Sequence, residues 1–262
     1  MQVNSFQIII EFELDQQIVF SLGQQLKELQ KALNGKLSIL NTPRMAAPPT
    51  PRALIKSADT ILTISLDRLE ITTTPLQHIM NNYESCVKFF KSRIESILKI
   101  LRIEDLNYKS LGVISDIQFP YNEENISGIK VIEPIFDRLI NIQRKERDLA
   151  SFQLLFGFME KNFYTNYIIS GYEIKNIQIP SSPPQNNVGF VAIDTKSIPI
   201  SESGIGIKID INNKNKESNK SPFEDANSIL DESINKYNSL GEILNLEDFF
   251  KCFQQSEKDK LH

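Results

Sequence analysis

The sequence predicts an α+β fold in which antiparallel strands wrap long helices. Three observations carry that expectation. Short runs with apolar side chains at alternate positions recur along the chain, as in half-buried strands. Two long amphipathic stripes at helical spacing follow Pro75 and Ser221. The order strand, helix, several strands, long helix occurs twice, which predicts a duplicated helix-grip-like unit with a curved sheet around each long helix. The break falls near Glu104 to Lys109, giving an N-terminal half over 1–106 and a C-terminal half over 107–262 that can pack as one compact unit.

In the first half, Ile8, Ile10, Phe12 and Leu14 share one face of a strand over Gln7 to Leu14, with Gln7, Glu11 and Glu13 on the other. Ile18, Leu22, Leu26, Leu29 and Leu33 recur at spacings of three and four and predict a helix that stops at Asn34-Gly35. Lys36 to Asn41 reads as a short strand, and Pro43, Pro48, Pro49 and Pro51 mark an exposed loop after it. Arg52 to Ser57, Thr60 to Leu66 and Arg68 to Thr74 read as a meander ended by Pro75. Tyr83, Val87, Phe90, Ile94, Ile97 and Leu101 then form the strongest helical stripe in the chain.

In the second half, Leu111 to Phe119 reads as a strand and Ile129 to Ile142 as a helix whose regular part starts near Pro134. Leu149 to Phe158, Phe163 to Ile174, Val188 to Asp194 and Gly204 to Asn212 read as strands. Ser221-Pro222-Phe223-Glu224 supplies an N-cap, a first-turn proline and a capping-box Glu for the last long helix, whose stripe runs through Ala226, Leu230, Ile234 and Tyr237. Gly241 is expected to interrupt it, with a short helix over Leu246 to Phe253 beyond. The polar loops Pro180 to Asn187 and Asn212 to Lys220 are expected to be mobile.

The chain has 262 residues, 40% of them hydrophobic and 24% charged, the balance of an ordinary folded protein and not of a disordered one. Its two cysteines, Cys86 and Cys252, cannot build a disulfide framework or a four-sulfur metal site, and a reducing cytoplasm is the expected location. Glu11, Glu13 and Asp15 interrupt the first apolar run, against a signal peptide, and no apolar stretch reaches the ~20 residues of a membrane span. A net charge of -4 makes general affinity for nucleic acid a minority expectation.

No residue set assembles a catalytic site, a cofactor site or a metal site in the sequence. His78 and the terminal His262 are the two histidines; His78, with Cys86 eight positions on, lacks an orienting carboxylate and reads as a loop or helix-start residue. Glu11 and Glu13 share a strand face, similar to the opening of triphosphate tunnel enzymes, but no strand Lys follows, so they read as solvated charges. Gly204-Ile205-Gly206 lies inside strict strand alternation and predicts a bend or a close approach, not a phosphate loop. Arg138, Arg144, Lys145 and Arg147 are nearly neutralised by Asp137, Glu146 and Asp148. Phe152, Phe156 and Phe158 read as core, which leaves Tyr164 as the aromatic candidate for a binding surface.

The opening Ile8-Ile9-Ile10-Glu11-Phe12-Glu13-Leu14, the late strand Ile207-Lys208-Ile209-Asp210-Ile211 and the closing Ile229-Leu230-Asp231-Glu232 to Phe249-Phe250 look similar to an uncharacterised, sporadically distributed family of bacterial proteins of about this length. The resemblance implies a defence-associated setting, as for an immunity, antitoxin or accessory component. It supplies no catalytic residue.

The expected function is non-enzymatic binding of another macromolecule, most simply a protein, through sheet faces, edge strands and polar loops. Lys214, Lys216 and Lys220 offer a locally positive loop on an acidic chain and, with Tyr164, are the candidate binding residues. A small-ligand binder or enzyme with a cavity above about 300 Å³ between sheet and helix is the second reading. A nucleic-acid-binding accessory protein with a continuous basic stripe is the third.

Overall fold

The computed structural model describes residues 1–12, 23–43, 45–103, 108–121, 125–139, 149–160, 163–176, 198–213 and 221–243. The elements follow in the order β1 (Gln2–Phe12), α1 (Gly23–Ala32), β2 (Lys36–Ile39), β3 (Ala53–Lys56), β4 (Thr60–Ile64), β5 (Arg68–Thr73), α2 (Tyr83–Leu101), β6 (Tyr108–Tyr121), α3 (Gly128–Leu139), β7 (Gln153–Glu160), β8 (Phe163–Lys175), β9 (Ile200–Asn212), α4 (Pro222–Asn238) and α5 (Leu240–Ile243). The fold is α+β, as the alternation and the two stripes predict.

The strands form one antiparallel sheet in the order β2-β3-β4-β5-β1-β6-β9-β8-β7. β1 and β6 pair at its middle, from Gln2 opposite Gln118 to Phe12 opposite Tyr108, so both halves of the chain share the sheet. Alternation decides which face is covered. Phe6, Ile8 and Ile10 of β1, Leu69 and Ile71 of β5, Val113 and Ile117 of β6 and Ile205, Ile207, Ile209 and Ile211 of β9 are buried on one face, each such side chain contributing roughly 1.5–3 kcal/mol. The described helices pack against that face: α2 brings Phe90, Ile94 and Ile97 and α4 brings Ile229 and Leu230 into the same core. Phe6 stacks on Phe90 at 5.2 Å, and Tyr83 of α2 stacks on Tyr237 of α4 at 4.3 Å between ring centroids. No described helix is long and apolar enough to cross a membrane.

Local signals place the helix ends. The Asn82 side chain accepts from the Ser85 amide at the start of α2, and Ser221 and Glu224 form the reciprocal capping box expected at the start of α4. At the end of α1 it is Asn34, with φ 48°, that takes the left-handed conformation, while the Gly35 amide closes on Gln30 O at 2.9 Å. Gly204 is closely approached, as its place in a regular strand predicts: a Cβ there would lie 2.3 Å from Phe119 O and 2.7 Å from the Tyr172 ring.

Three sequence expectations are corrected. The helix expected to begin near Pro134 begins at Gly128, with Pro134 inside it. Its first turn is held from outside the helix, by Glu173 accepting from the Gly128 amide at 3.0 Å and by packing of Gly128 on Gly171, while Val131, Ile132 and Ile135 are buried. That burial offsets the missing backbone donor of Pro134. β7 starts at Gln153 and not at Leu149; the apolar pattern begins early because Phe152 packs edge-on against Phe136 of α3 at 5.2 Å instead of entering the ladder. α4 stops at Ser239, so Gly241 falls inside the short α5. The expected strand Val188 to Asp194, the helix Leu246 to Phe253, the loop Pro180 to Asn187 and the start of the first helix at Ile18 and Leu22 lie outside the described residues.

Candidate functional site

Side chains at the positions between the buried ones form the opposite face of the sheet, which the described helices leave uncovered. Its middle holds a pit of about 240 Å³ lined by Ile9, Glu11, Arg68, Ser110, Gly112, Ile114, Asp210 and Asn212. Strand register assembles it: Gly112 lies opposite Ile9 on one side and Asn212 on the other, and Ile114 lies opposite Asp210. Gly112 opens the floor, since a Cβ there would come within 3.2 Å of Asn212 Cβ and 3.9 Å of an Asp210 carboxylate oxygen.

The two carboxylates of the pit differ in their partners. Glu11 accepts from Arg68 Nη2 at 2.8 Å and from Ser110 Oγ at 2.6 Å, and the same guanidinium reaches Glu70 at 3.4 Å. Among the described residues, Asp210 accepts only from neutral amides, Asn166 Nδ2 at 3.1 Å and Asn212 Nδ2 at 3.4 Å. Further along the same face Lys208 lies 3.7 Å from Asp116, and Tyr172 donates to Glu202 at 2.9 Å. Burial first, then the Glu202 bond and charge, push the Tyr172 phenol above its usual range, which keeps it a neutral donor. The middle of this face therefore carries Glu11, Glu70, Asp116, Glu202 and Asp210 against Arg68 and Lys208, an acidic balance unsuited to a phosphate backbone.

The two outermost strands of the sheet contrast. β2 is four residues long and begins with Lys36, whereas β7 is eight residues, QLLFGFME, without Lys, Arg or Pro and without a register shift against β8. Leu155 and Met159 on its uncovered face are 65% and 74% exposed, and Phe158 on the other is 44% exposed. Lysine, proline, a bulge or shortness are the usual guards of an edge, and β7 has none of them.

Tyr164, the aromatic candidate, is half-buried on β8, opposite Met159 of β7 and Asn212 of β9, and so stands between the apolar edge and the pit. Lys214, Lys216 and Lys220 lie outside the described residues, as do Glu13, Cys252 and the basic Arg144, Lys145 and Arg147. His78 is exposed in the turn before α2. Cys86 is buried; its sulfur donates to Ile79 O at 3.1 Å, and burial pushes its thiol up to about 11, so it stays protonated near neutral pH. Among the described residues no group of three or more His, Cys, Asp or Glu is placed to hold a metal ion.

Sequence reasoning missed the pit, although Gly112 inside a regular strand and polar residues at alternate positions 208, 210 and 212 were signals for it. It also missed a buried polar cluster under the sheet. Asp225, fully buried in the first turn of α4, accepts from Tyr108 Oη and from Asn213 Nδ2 at 2.9 Å, while Asn213 Oδ1 accepts from the Leu111 amide at 2.7 Å. These bonds fasten the start of α4 to the ends of β6 and β9, a structural task. Between sheet and helix, the cavity bounded by Phe12, Ile64, Leu101 and Ile103 holds about 10 Å³, room for one water and not for a ligand. Comparison of the chain with models of known protein families and with curated proteins found no match.

Proposed function

We propose that this chain is a non-enzymatic protein-binding module that takes an extended segment of its partner as an added strand along β7. One observation carries the reading: among the described residues β7 is an outermost strand, eight residues long, apolar on both faces up to its last residue, Glu160, and without lysine, proline or bulge, while the opposite edge is short and begins with a lysine. An added strand gains main-chain hydrogen bonds along the edge, and alternate side chains of the partner meet Leu155 and Met159 on one face and Phe156 and Phe158 on the other. Tyr164, beside Met159, extends the contact toward the middle of the sheet. We also read the two halves as copies of one helix-grip-like unit. In support, each meander returns to pair with the first strand of its own half, and each long helix starts ten positions after the last strand, Tyr83 after Thr73 and Pro222 after Asn212.

The test is affinity capture from native host cells with the wild-type chain and with the double variant Leu155→Lys, Met159→Lys, followed by quantitative mass spectrometry. Both side chains are exposed, so the melting curve should hardly move. A specific partner recovered with the wild type should fall at least roughly tenfold with the variant, because lysines on an edge oppose pairing. Equal recovery by both proteins excludes the β7 edge as the interface.

A further inference from the structure

We infer that the pit at Gly112 is a pocket for one guanidinium group, the tip of an arginine side chain. This goes beyond strand addition at β7: it concerns a different surface, made by β1, β5, β6 and β9, and it stands or falls without the edge.

Size sets the class of occupant. At about 240 Å³ the pit falls short of the 300–1,000 Å³ usual for drug-sized ligands, so it suits a single side chain. The space exists because position 112 is glycine; a Cβ would project between Asn212 Cβ and the Asp210 carboxylate.

Charge sets the sign. Arg68 is shared by Glu11 at 2.8 Å and Glu70 at 3.4 Å, so one cation serves two carboxylates there. Asp210, the second carboxylate of the lining, is held by the neutral amides of Asn166 and Asn212 and, among the described residues, by no cation. Among the lining residues, the carboxylates of Glu11 and Asp210 stand against the one guanidinium of Arg68, which leaves the pit one charge negative. Asn166 and Asn212 also fix the Asp210 carboxylate in place before any ligand arrives, which lowers the ordering cost of binding.

The walls distinguish guanidinium from ammonium. Ile9 and Ile114 are apolar lining beside the carboxylates, a surface that suits a planar, weakly hydrated guanidinium and its three-carbon stem. A compact ammonium would lose more hydration against the same walls and could not match a carboxylate with two parallel bonds.

The experiment is a titration followed by amide NMR shifts, using N-acetyl-arginine methylamide, free arginine, and the citrulline and lysine counterparts of the blocked compound. Saturable shifts confined to amides around Ser110–Val113 and Asp210–Asn212 are expected with the blocked arginine. Citrulline, which keeps the shape and lacks the charge, should bind at least roughly tenfold more weakly, and so should the lysine counterpart. Asp210→Asn should weaken arginine binding by a similar factor, and Gly112→Ala, which adds one methyl to the floor, should weaken it in protein shown by its melting curve to be folded at the temperature of the titration. Equal binding of free and blocked arginine assigns the pocket to the guanidinium alone, and a preference for the blocked form assigns it to arginine within a chain; both support the inference. No saturable shift, equal affinity for citrulline or lysine, or full binding by Asp210→Asn overturns it. Because Leu155→Lys leaves the pit untouched, its effect on partner capture separates the two readings.

Discussion

Replacing Phe90 with alanine removes the ring at the centre of the contact between α2 and the sheet. Phe90 is fully buried, packs among Val87, Ile94 and Ile97 in the core, and stacks on Phe6 at 5.2 Å with an interplanar angle of 22°. Returning about 150 Å² of aromatic surface to the solvent balance at about 25 cal/mol per Å² costs about 4 kcal/mol. Losing the stacked pair adds about 0.5–1.5 kcal/mol, and measured Phe→Ala substitutions in cores cluster at about 3–5 kcal/mol. The expected loss is therefore about 4–5 kcal/mol, read from urea or guanidinium melts as a fall in midpoint at unchanged slope. Phe90→Leu keeps most of the volume and should lose roughly half as much or less. A loss below about 1 kcal/mol for Phe90→Ala would mean that α2 does not close the core over β1, and the assignment of the covered and uncovered faces would fall with it.

Two further outcomes follow from polar contacts. Asp225→Ala should cost about 1.5–3 kcal/mol, since it strips Tyr108 and Asn213 of a buried acceptor; a change within about 0.5 kcal/mol in the same melts would refute the fastening role of the cluster. Asp59 governs part of the acid response. Burial raises its carboxyl, but bonds from Ser57 at 3.0 Å, Arg93 at 2.5 Å and Thr60 at 3.2 Å, with the Arg93 charge, outweigh burial and hold it below the ordinary 3.8. The folded state then binds this proton less readily than the unfolded chain, so the contribution is complete above about pH 4 and is lost as pH falls through the lower folded value. Stability measured from pH 5 to pH 2 should fall less steeply in Asp59→Asn than in the wild type; superimposable slopes would contradict the assignment.

The fold was largely legible in the sequence where the signal is local. β1 alternates from Phe6 to Phe12 and β9 from Ile205 to Ile211, α2 carries an unbroken stripe, and α4 carries its cap in Ser221 and Glu224. Pro134 was misread because what holds the turn before it, Gly128 against Gly171 and Glu173, comes from a strand some 45 residues away. The Leu149 to Phe152 stretch was misread because alternation registers burial, and burial against α3 does not require pairing. The site was less visible than the fold. Glu11 was placed on the outer face, yet its partners Arg68 and Ser110 lie 57 and 99 positions on, and nothing local announces them. Gly112, Asp210 and Asn212 meet through the β6–β9 register alone. Tyr164 was chosen as an aromatic left over from the core pattern; its position between the pit and the β7 edge comes from pairing with Asn212 and Met159.

Hydrogen–deuterium exchange across β7, free and with the captured partner bound, tests the central claim most directly. In the free protein the β7 amides that do not bond to β8 face outward and should exchange rapidly, while those of the central β1 and β6 are protected. If the partner adds a strand, the fast β7 amides between Gln153 and Glu160 should slow by roughly a hundredfold or more in the complex, with the opposite edge at Lys36–Ile39 unchanged. Unaltered β7 exchange in a complex that protects another surface would contradict the account.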